Sequence, residues 1–464
     1  MTQLRIAVVG AGAAGITAAI RAAEGGAQVT LFNAHPHVGL KILMSGGTRC
    51  NVTHRVVSER DFNGGSRPFV ARVLRAFKVE QTLAWFAEMG VELKLEATGK
   101  YFPVSDEAQS VLDALMARVA SAGVTLEAGA RVIRVEAASG ATAATAGGAS
   151  GAGSAVATIA VAKSGPAPFR VGVEAIADTM ALGVTGVARA GQLEWLLAPR
   201  TPERWIDCDR VILATGGLSF PRTGSDGTGY ALALALGHTL EPPIPALTPL
   251  AAEDPWCAEL QGLTAEVTLR LLVSGKPEAE VRGSLLFAHF GYTGPAALDL
   301  SRHWLRAGES GGERRVVASF IPGAREETLL NAWIEMAPHE PRATVRSMLA
   351  GQLPDRLITI ICREAEVDAS KMLSQISRAG RVRLAQHIVS RPLPVSGVLG
   401  YEKAEVTAGG VKLAEVNPST LESRVTPGLY LCGEVLDVEG RLGGFNFQWS
   451  WSSGTVAGRA AAFR

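Results

Sequence analysis

The chain has 464 residues, 45 Lys plus Arg against 44 Asp plus Glu for a net charge of +1, and 47% apolar residues. At roughly 100–200 residues per domain this is a globular chain of two or three domains, and its balanced charge excludes a highly charged disordered protein and any global attraction to nucleic acid or membrane. The five cysteines (Cys50, Cys208, Cys257, Cys362, Cys432) are widely spaced and include no CxxC pair. That argues against a disulfide framework, a dithiol redox centre and the common zinc spacings.

The N-terminus reads as β-α-β over residues 1–33, with strands near 4–9 and 28–32. Between them lies Gly10-Ala11-Gly12-Ala13-Ala14-Gly15, a GxGxxG that follows a strand and opens a helix. In that context the first glycine makes a tight turn, the second lets backbone N–H groups approach a diphosphate, and the third lets helix and strand pack closely. The helix N-terminus adds the positive end of its dipole. Asn33 ends the second strand where an acid normally meets the adenosine ribose, and its carboxamide oxygen can still accept from a hydroxyl. His35 and His37 form an HxH that no further His or Cys completes, so we expect no metal.

Amphipathic helices are expected over 79–89 and 107–120, and a strand over 126–135. Residues 137–164 are an Ala/Gly/Ser/Thr tract too poor in large apolar side chains to hold a core, so a flexible insertion is expected there. A buried strand at 210–214 runs into Thr215-Gly216-Gly217, a helix follows at 227–236, and proline-rich 241–250 marks a boundary. Short β-like segments fill 250–322 and helical periodicity fills 325–387. A buried strand returns at 428–432, ending in Gly433-Glu434, and a helix closes the chain at 448–463. These two late strands point to FAD rather than NAD, since flavoprotein chains return to the nucleotide fold in this way. Outside the N-terminal segment no uninterrupted apolar run reaches the roughly 18 residues of a membrane helix, so no membrane partner and a cytoplasmic location are expected.

These elements give an α/β chain in three parts. A discontinuous dinucleotide domain (1–245 and 406–464) is interrupted by a β-rich insert (246–322 and 388–405) and a helical insert (323–387). Between Pro341 and Arg391 nine basic residues face four acids, 9 − 4 = +5, so the helical insert could clamp phosphates through clustered arginines such as Arg378, Arg381 and Arg383.

The segments GLKILMSGGTRCNVTH (39–54), LATGGLSFPRTGSDGTGYALALALGHTL (213–240), LLFAHFGYTGPAALDLS (285–301) and GEVLDVEGRLGGFNFQWSWSSG (433–454) closely resemble the HI0933-like flavoproteins, bacterial FAD-dependent NAD(P)H oxidoreductases. The resemblance implies a Rossmann-like FAD domain of the two-dinucleotide-binding type, interrupted by barrel-like β and helical parts. It implies cofactor contacts at Gly10, Gly12, Ala13, Ala14, Gly15, Asn33, Lys41, Ser45, Gly46, Arg49, Cys50, Asn51, Val132, Ala214, Thr215, Gly216, Gly433, Glu434, Gly444, Phe445 and Asn446. Arg49 would supply charge for a phosphate or reduced flavin, and Cys50 or His289 a proton for the acceptor. Thr48 replaces a glycine usual in the family, which should shift the loop because Thr does not readily take positive φ.

The implied activity is hydride transfer from NAD(P)H through FAD to an electron-poor C=C bond. The acceptor would be uridine in ribosomal RNA, giving dihydrouridine, or a small-molecule enone. A flavin-containing RNA-binding factor without turnover is the alternative from another class.

Overall fold

The computed structural model describes residues 3–137, 168–176, 186–189, 192–195, 200–309 and 311–463. Beyond Ala137, the tract expected to be a flexible insertion lies outside them. The chain divides into two compact units, residues 1–243 with 406–464, and residues 244–405.

The first unit is built on a five-stranded parallel sheet. Its centre is β1 (Arg5–Val9), flanked by β2 (Gln28–Asn33) on one side and the strand Arg210–Leu213 on the other. Thr125–Ala128 and Leu429–Leu431 are the edges. Register pairs Val8 with both Leu31 and Ile212, and Leu213 with Leu431. Ile6 to Val9 are buried, as expected of a parallel strand covered on both faces. Helix α1 (Ala13–Glu24) covers one face and packs against the C-terminal helix Phe445–Ala462. Small residues allow that approach: a Cβ at Gly454 would lie 2.5 Å from the Ala14 carbonyl oxygen, and one at Gly458 2.3 Å from that of Ala18.

The strand expected over 126–135 is two strands. Gly129, at φ +73°, breaks the run, so Thr125–Ala128 joins the parallel sheet while Ala130–Ala137 pairs antiparallel with Phe169–Ala175. Hydrophobic alternation continues through the break, which hides it from periodicity. A further antiparallel sheet joins Thr53–His54, Lys100–Pro103 and Leu93–Leu95, and it carries one wall of the site described below.

The second unit holds a seven-stranded antiparallel sheet, in the order Arg391–Leu393, Arg314–Ser319, Thr264–Val273, Lys276–Ala288, Gly291–Thr293, Leu250–Ala252, Val395–Val398. Helices including Pro295–Glu309, Asp355–Glu364 and Arg378–Val389 share one hydrophobic core with that sheet, in which Trp256 and Phe320 stack while Ile358 and Leu384 pack from the helices. The segments expected as separate β-rich and helical inserts therefore lie in one compact unit, because the helices have no apolar face left to form a core of their own.

Candidate functional site

The turn after β1 is shaped by three glycines with different surroundings. Gly10 has φ +105°, and a Cβ there would lie 2.5 Å from the Ala214 carbonyl oxygen. A Cβ on Gly15 would meet the Gly10 carbonyl oxygen at 1.8 Å. At Gly12, by contrast, a Cβ would meet nothing within 4 Å. Gly12 caps α1 without any side-chain hydrogen bond to the first turn, so the N–H groups of Ala13, Ala14 and Gly15 face an open cradle. Donors aimed into unfilled space at a helix start suit a diphosphate, and the residues fit the dinucleotide that the sequence implied.

Asn33 is turned inward. Its carboxamide oxygen accepts from the Ala11 N–H at 3.2 Å, and its nitrogen donates to the carbonyls of His35 at 2.6 Å and His37 at 3.1 Å. It braces the glycine turn and leaves one lone pair for a hydroxyl. Ala214 donates its N–H to the Val9 carbonyl at 2.9 Å and Gly216 takes φ +74°, while Val132 is buried on the antiparallel strand Ala130–Ala137.

A polar cluster surrounds the acid after the last sheet strand. Glu434 Oε1 accepts from the Ser219 hydroxyl and the Thr407 N–H, both at 2.9 Å, while Oε2 accepts from Lys41 Nζ at 2.9 Å. Lys41 also donates to Ser219 Oγ at 2.6 Å. Lys41 starts α2 (Leu40–Thr48), whose N-cap Gly39 donates to the Ala11 carbonyl at 3.1 Å. The cluster therefore borders the glycine turn. Ser219 and Thr407 were missed in the sequence: Ser219 lies inside a quoted segment and Thr407 outside all of them, and nothing marked either as a partner of Glu434.

Helix α2 breaks at Ser45, and Gly46, Gly47 and Thr48 follow with φ +58°, +67° and +69°. Thr48 thus takes the left-handed conformation that glycine favours. Arg49 is paired within the chain. Its guanidinium bonds Glu96 at 2.7 Å and Asp106 at 3.4 Å and lies 4.0 Å over the Phe102 ring. Two carboxylates, Glu96 and Asp106, therefore share its charge. Cys50 is 0% exposed, and burial pushes its thiol up to about 12.

Asn51, with its carboxamide oriented to satisfy both ends, accepts from the Gly444 N–H and donates to the Thr53 carbonyl, each at 3.0 Å. It thereby joins the glycine loop to the start of the C-terminal helix. Asn446 instead closes its own turn, accepting from the Gly440 N–H at 2.7 Å and donating to the Gly440 carbonyl at 2.8 Å. Phe445 is fully buried and stacks on His54 at 4.8 Å, a core contact rather than an exposed platform.

The remaining expected residues lie in the second unit. His289 is exposed in the hairpin turn between Ala288 and Gly291. Arg378 is exposed and Arg381 half-buried, whereas Arg383 donates to the Ala365 carbonyl at 2.9 Å and pairs with Glu366 at 3.3 Å. Arg346 pairs with Asp355, Arg363 with Glu259 at 2.6 Å, and Arg391 with Asp254 at 3.5 Å. Glu259 and Asp254 lie outside the stretch from which the +5 was counted, so part of that surplus is neutralised within the fold.

Among the described residues no group of three or more His, Cys, Asp or Glu could hold a metal ion, and no helix is long and apolar enough to cross a membrane. A parallel sheet with an open glycine turn, joined by two late strands that are followed by a threonine-glycine turn and a held glutamate, defines the class: a Rossmann-type dinucleotide fold. More narrowly, the chain belongs to the HI0933-like family, whose Rossmann-domain model matches residues 4–185 and 175–460. It is 33% identical over 464 residues to the 3-dehydro-bile acid delta(4,6)-reductase of Clostridium scindens, covering 99% of both chains. It is also 30% identical over 454 residues to the ribosomal RNA dihydrouridine synthase of Escherichia coli, covering 98% of this chain and 96% of that one. The Haemophilus influenzae protein of the same name is 28% identical over 448 residues, covering 96% and 95%.

Proposed function

We propose that the protein is an NAD(P)H-dependent reductase of a C=C bond conjugated to a carbonyl, with a small-molecule enone as acceptor. The balance is simple: one NAD(P)H and one proton are consumed, NAD(P)+ is released, and each alkene carbon gains one hydrogen. FAD, when bound, supplies the two-electron relay between donor and acceptor.

The observation that carries the reading is the open cradle at Gly12, which gives the chain a site for a dinucleotide and no side chain of its own to fill it. The first-turn N–H groups of α1 hold the diphosphate, while Glu434, fixed by Lys41, Ser219 and Thr407, retains one lone pair for a cofactor hydroxyl. The bond to be reduced is supported by the relatives, since a delta(4,6)-reductase and a dihydrouridine synthase both saturate a C=C bond conjugated to a carbonyl. A small acceptor is favoured because Arg346, Arg363, Arg383 and Arg391 are already engaged by carboxylates. Cys50 takes a packing role in this scheme, its thiol sealed from any acceptor.

Anaerobic mixing with NADH or NADPH should bleach the bound flavin, and a conjugated enone should restore the colour. Failure of both nicotinamides to bleach it removes the donor; failure of every enone to restore it removes the acceptor.

Ribosomal RNA uridine is the second reading, favoured by Arg378 and Arg381, for which the described residues provide no carboxylate partner. Reversing both charges should weaken RNA binding and reduce its salt slope by up to about one unit per lost phosphate contact. Reversing Arg383, already held by Glu366, should change it less. Equal RNA binding in the double variant would leave the lobe as solvated surface.

A further inference from the structure

The cations around the glycine loop are nearly all committed. Arg49 is taken by Glu96 and Asp106, Lys94 by Asp106, Arg441 by Asp61 at 2.9 Å, and Lys41 by Glu434. Lys100 is the exception on this wall. Its ammonium makes no hydrogen bond or ion pair among the described residues, although its backbone is fixed in the strand Lys100–Pro103 opposite His54.

Placement gives that charge a direction. Side chains two apart on a strand share a face, and Phe102, on the face of Lys100, touches the loop: its ring would lie 2.9 Å from a Cβ on Gly46. At the other end, Lys100 Cε would lie 3.5 Å from a Cβ on Gly443. Asn51 ties the same loop to Gly444. Two stretches of backbone without side chains, Gly46-Gly47 beside Phe102 and Gly443 beside Lys100, therefore border one strand face that carries an uncompensated ammonium. A Cβ on Gly47 would meet nothing within 4 Å, so the space beside them is open.

We infer that Lys100 is the counter-charge for the electron-rich ring of the cofactor, a part the sequence had given to Arg49. The inference rests on FAD binding as proposed above, with its ring taken to lie along this open glycine face, but on neither the donor nor the acceptor named there. Two electrons and one proton entering the ring leave it with one negative charge, and an ammonium held nearby favours that state over the oxidised one. A lysine already paired to a carboxylate would contribute much less, which is why the unpaired state of Lys100 matters.

The test is the flavin midpoint potential of the holoprotein, measured by photoreduction against a reference dye so that neither nicotinamide nor acceptor is needed. Lys100→Met should shift the ratio of reduced to oxidised flavin at least tenfold toward oxidised, about 30 mV downward for a two-electron couple. Lys100→Arg should restore most of it. Lys94→Met, which removes a cation already bound to Asp106, should leave the potential where it is. FAD content and thermal unfolding of each variant report whether it is folded and loaded. A loaded Lys100→Met variant with unchanged potential overturns the inference, as does an equal shift in Lys94→Met; failure of the enone or nicotinamide assays leaves it standing.

Discussion

Lys41 and Glu434 are 393 positions apart in the chain and 2.9 Å apart in the fold, joined side by side with Ser219 at the edge of the glycine turn. Hydrogen bonds to charged groups contribute about 1.5–3 kcal/mol when partly buried. Lys41→Met should therefore lower FAD affinity roughly 10- to 100-fold, since each 1.4 kcal/mol is tenfold. Titration of the apoprotein with FAD checks it, and affinity within twofold of the parent would show that Lys41 does not prepare Glu434 for the cofactor.

Gly12→Val should leave the protein folded and colourless. Nothing in the protein lies within 4 Å of the new Cβ, so the apo fold tolerates it, yet the isopropyl group fills the space kept for the diphosphate. Flavin content after reconstitution, read beside the far-ultraviolet circular dichroism, separates loss of cofactor from loss of fold. A yellow Gly12→Val variant would contradict the assigned turn.

Thr48→Gly should stabilise the protein. A non-glycine residue at φ +69° carries about 1–2 kcal/mol of local strain, offset in part by the roughly 0.5–1 kcal/mol of chain entropy a glycine costs on folding. The net gain expected is about 0.5–1 kcal/mol, visible as a higher urea midpoint. A lower midpoint would mean that the Thr48 hydroxyl, which donates to the Gly47 carbonyl at 2.6 Å, outweighs the strain.

Stability should fall as the solution is acidified below the ordinary histidine range. Burial holds His303 down to about 4, with Arg302 adding to the effect, and burial also lowers His238 despite its contact with Glu415. A histidine lowered in the fold binds its proton more readily when unfolded. Its contribution is therefore complete above about 6.5 and is lost as pH falls toward 4. His303→Gln should flatten urea midpoints across that window by on the order of 1–3 kcal/mol. An unchanged slope would show that His303 is solvated.

Much of the site was legible because its signals are local. Gly10 to Gly15 declare a turn by their place between a β-branched run and a helix, and the strand after Gly428 declares itself by apolar residues alone. What escaped was charge pairing over distance. Arg49 looked free in its loop, yet Glu96 lies 47 positions away and Asp106 57. Ser219 reaches Glu434 from 215 positions away. Local preference also hides the left-handed Thr48, which lies in a run with Gly46, Gly47 and Cys50, all at positive φ.

The parallel sheet has one further consequence, in time rather than space. Its third and fifth strands, in chain order, are Thr125–Ala128 and Leu429–Leu431, and α1 meets its packing partner only when Phe445–Ala462 has been made. At about 5–20 residues per second of synthesis, the N-terminal strand and helix wait on the order of half a minute for those neighbours. The second unit, contiguous from 244 to 405, has all its sheet partners before then. The sheet that opens at Arg5 is thus completed only after the interior segment has all its strands.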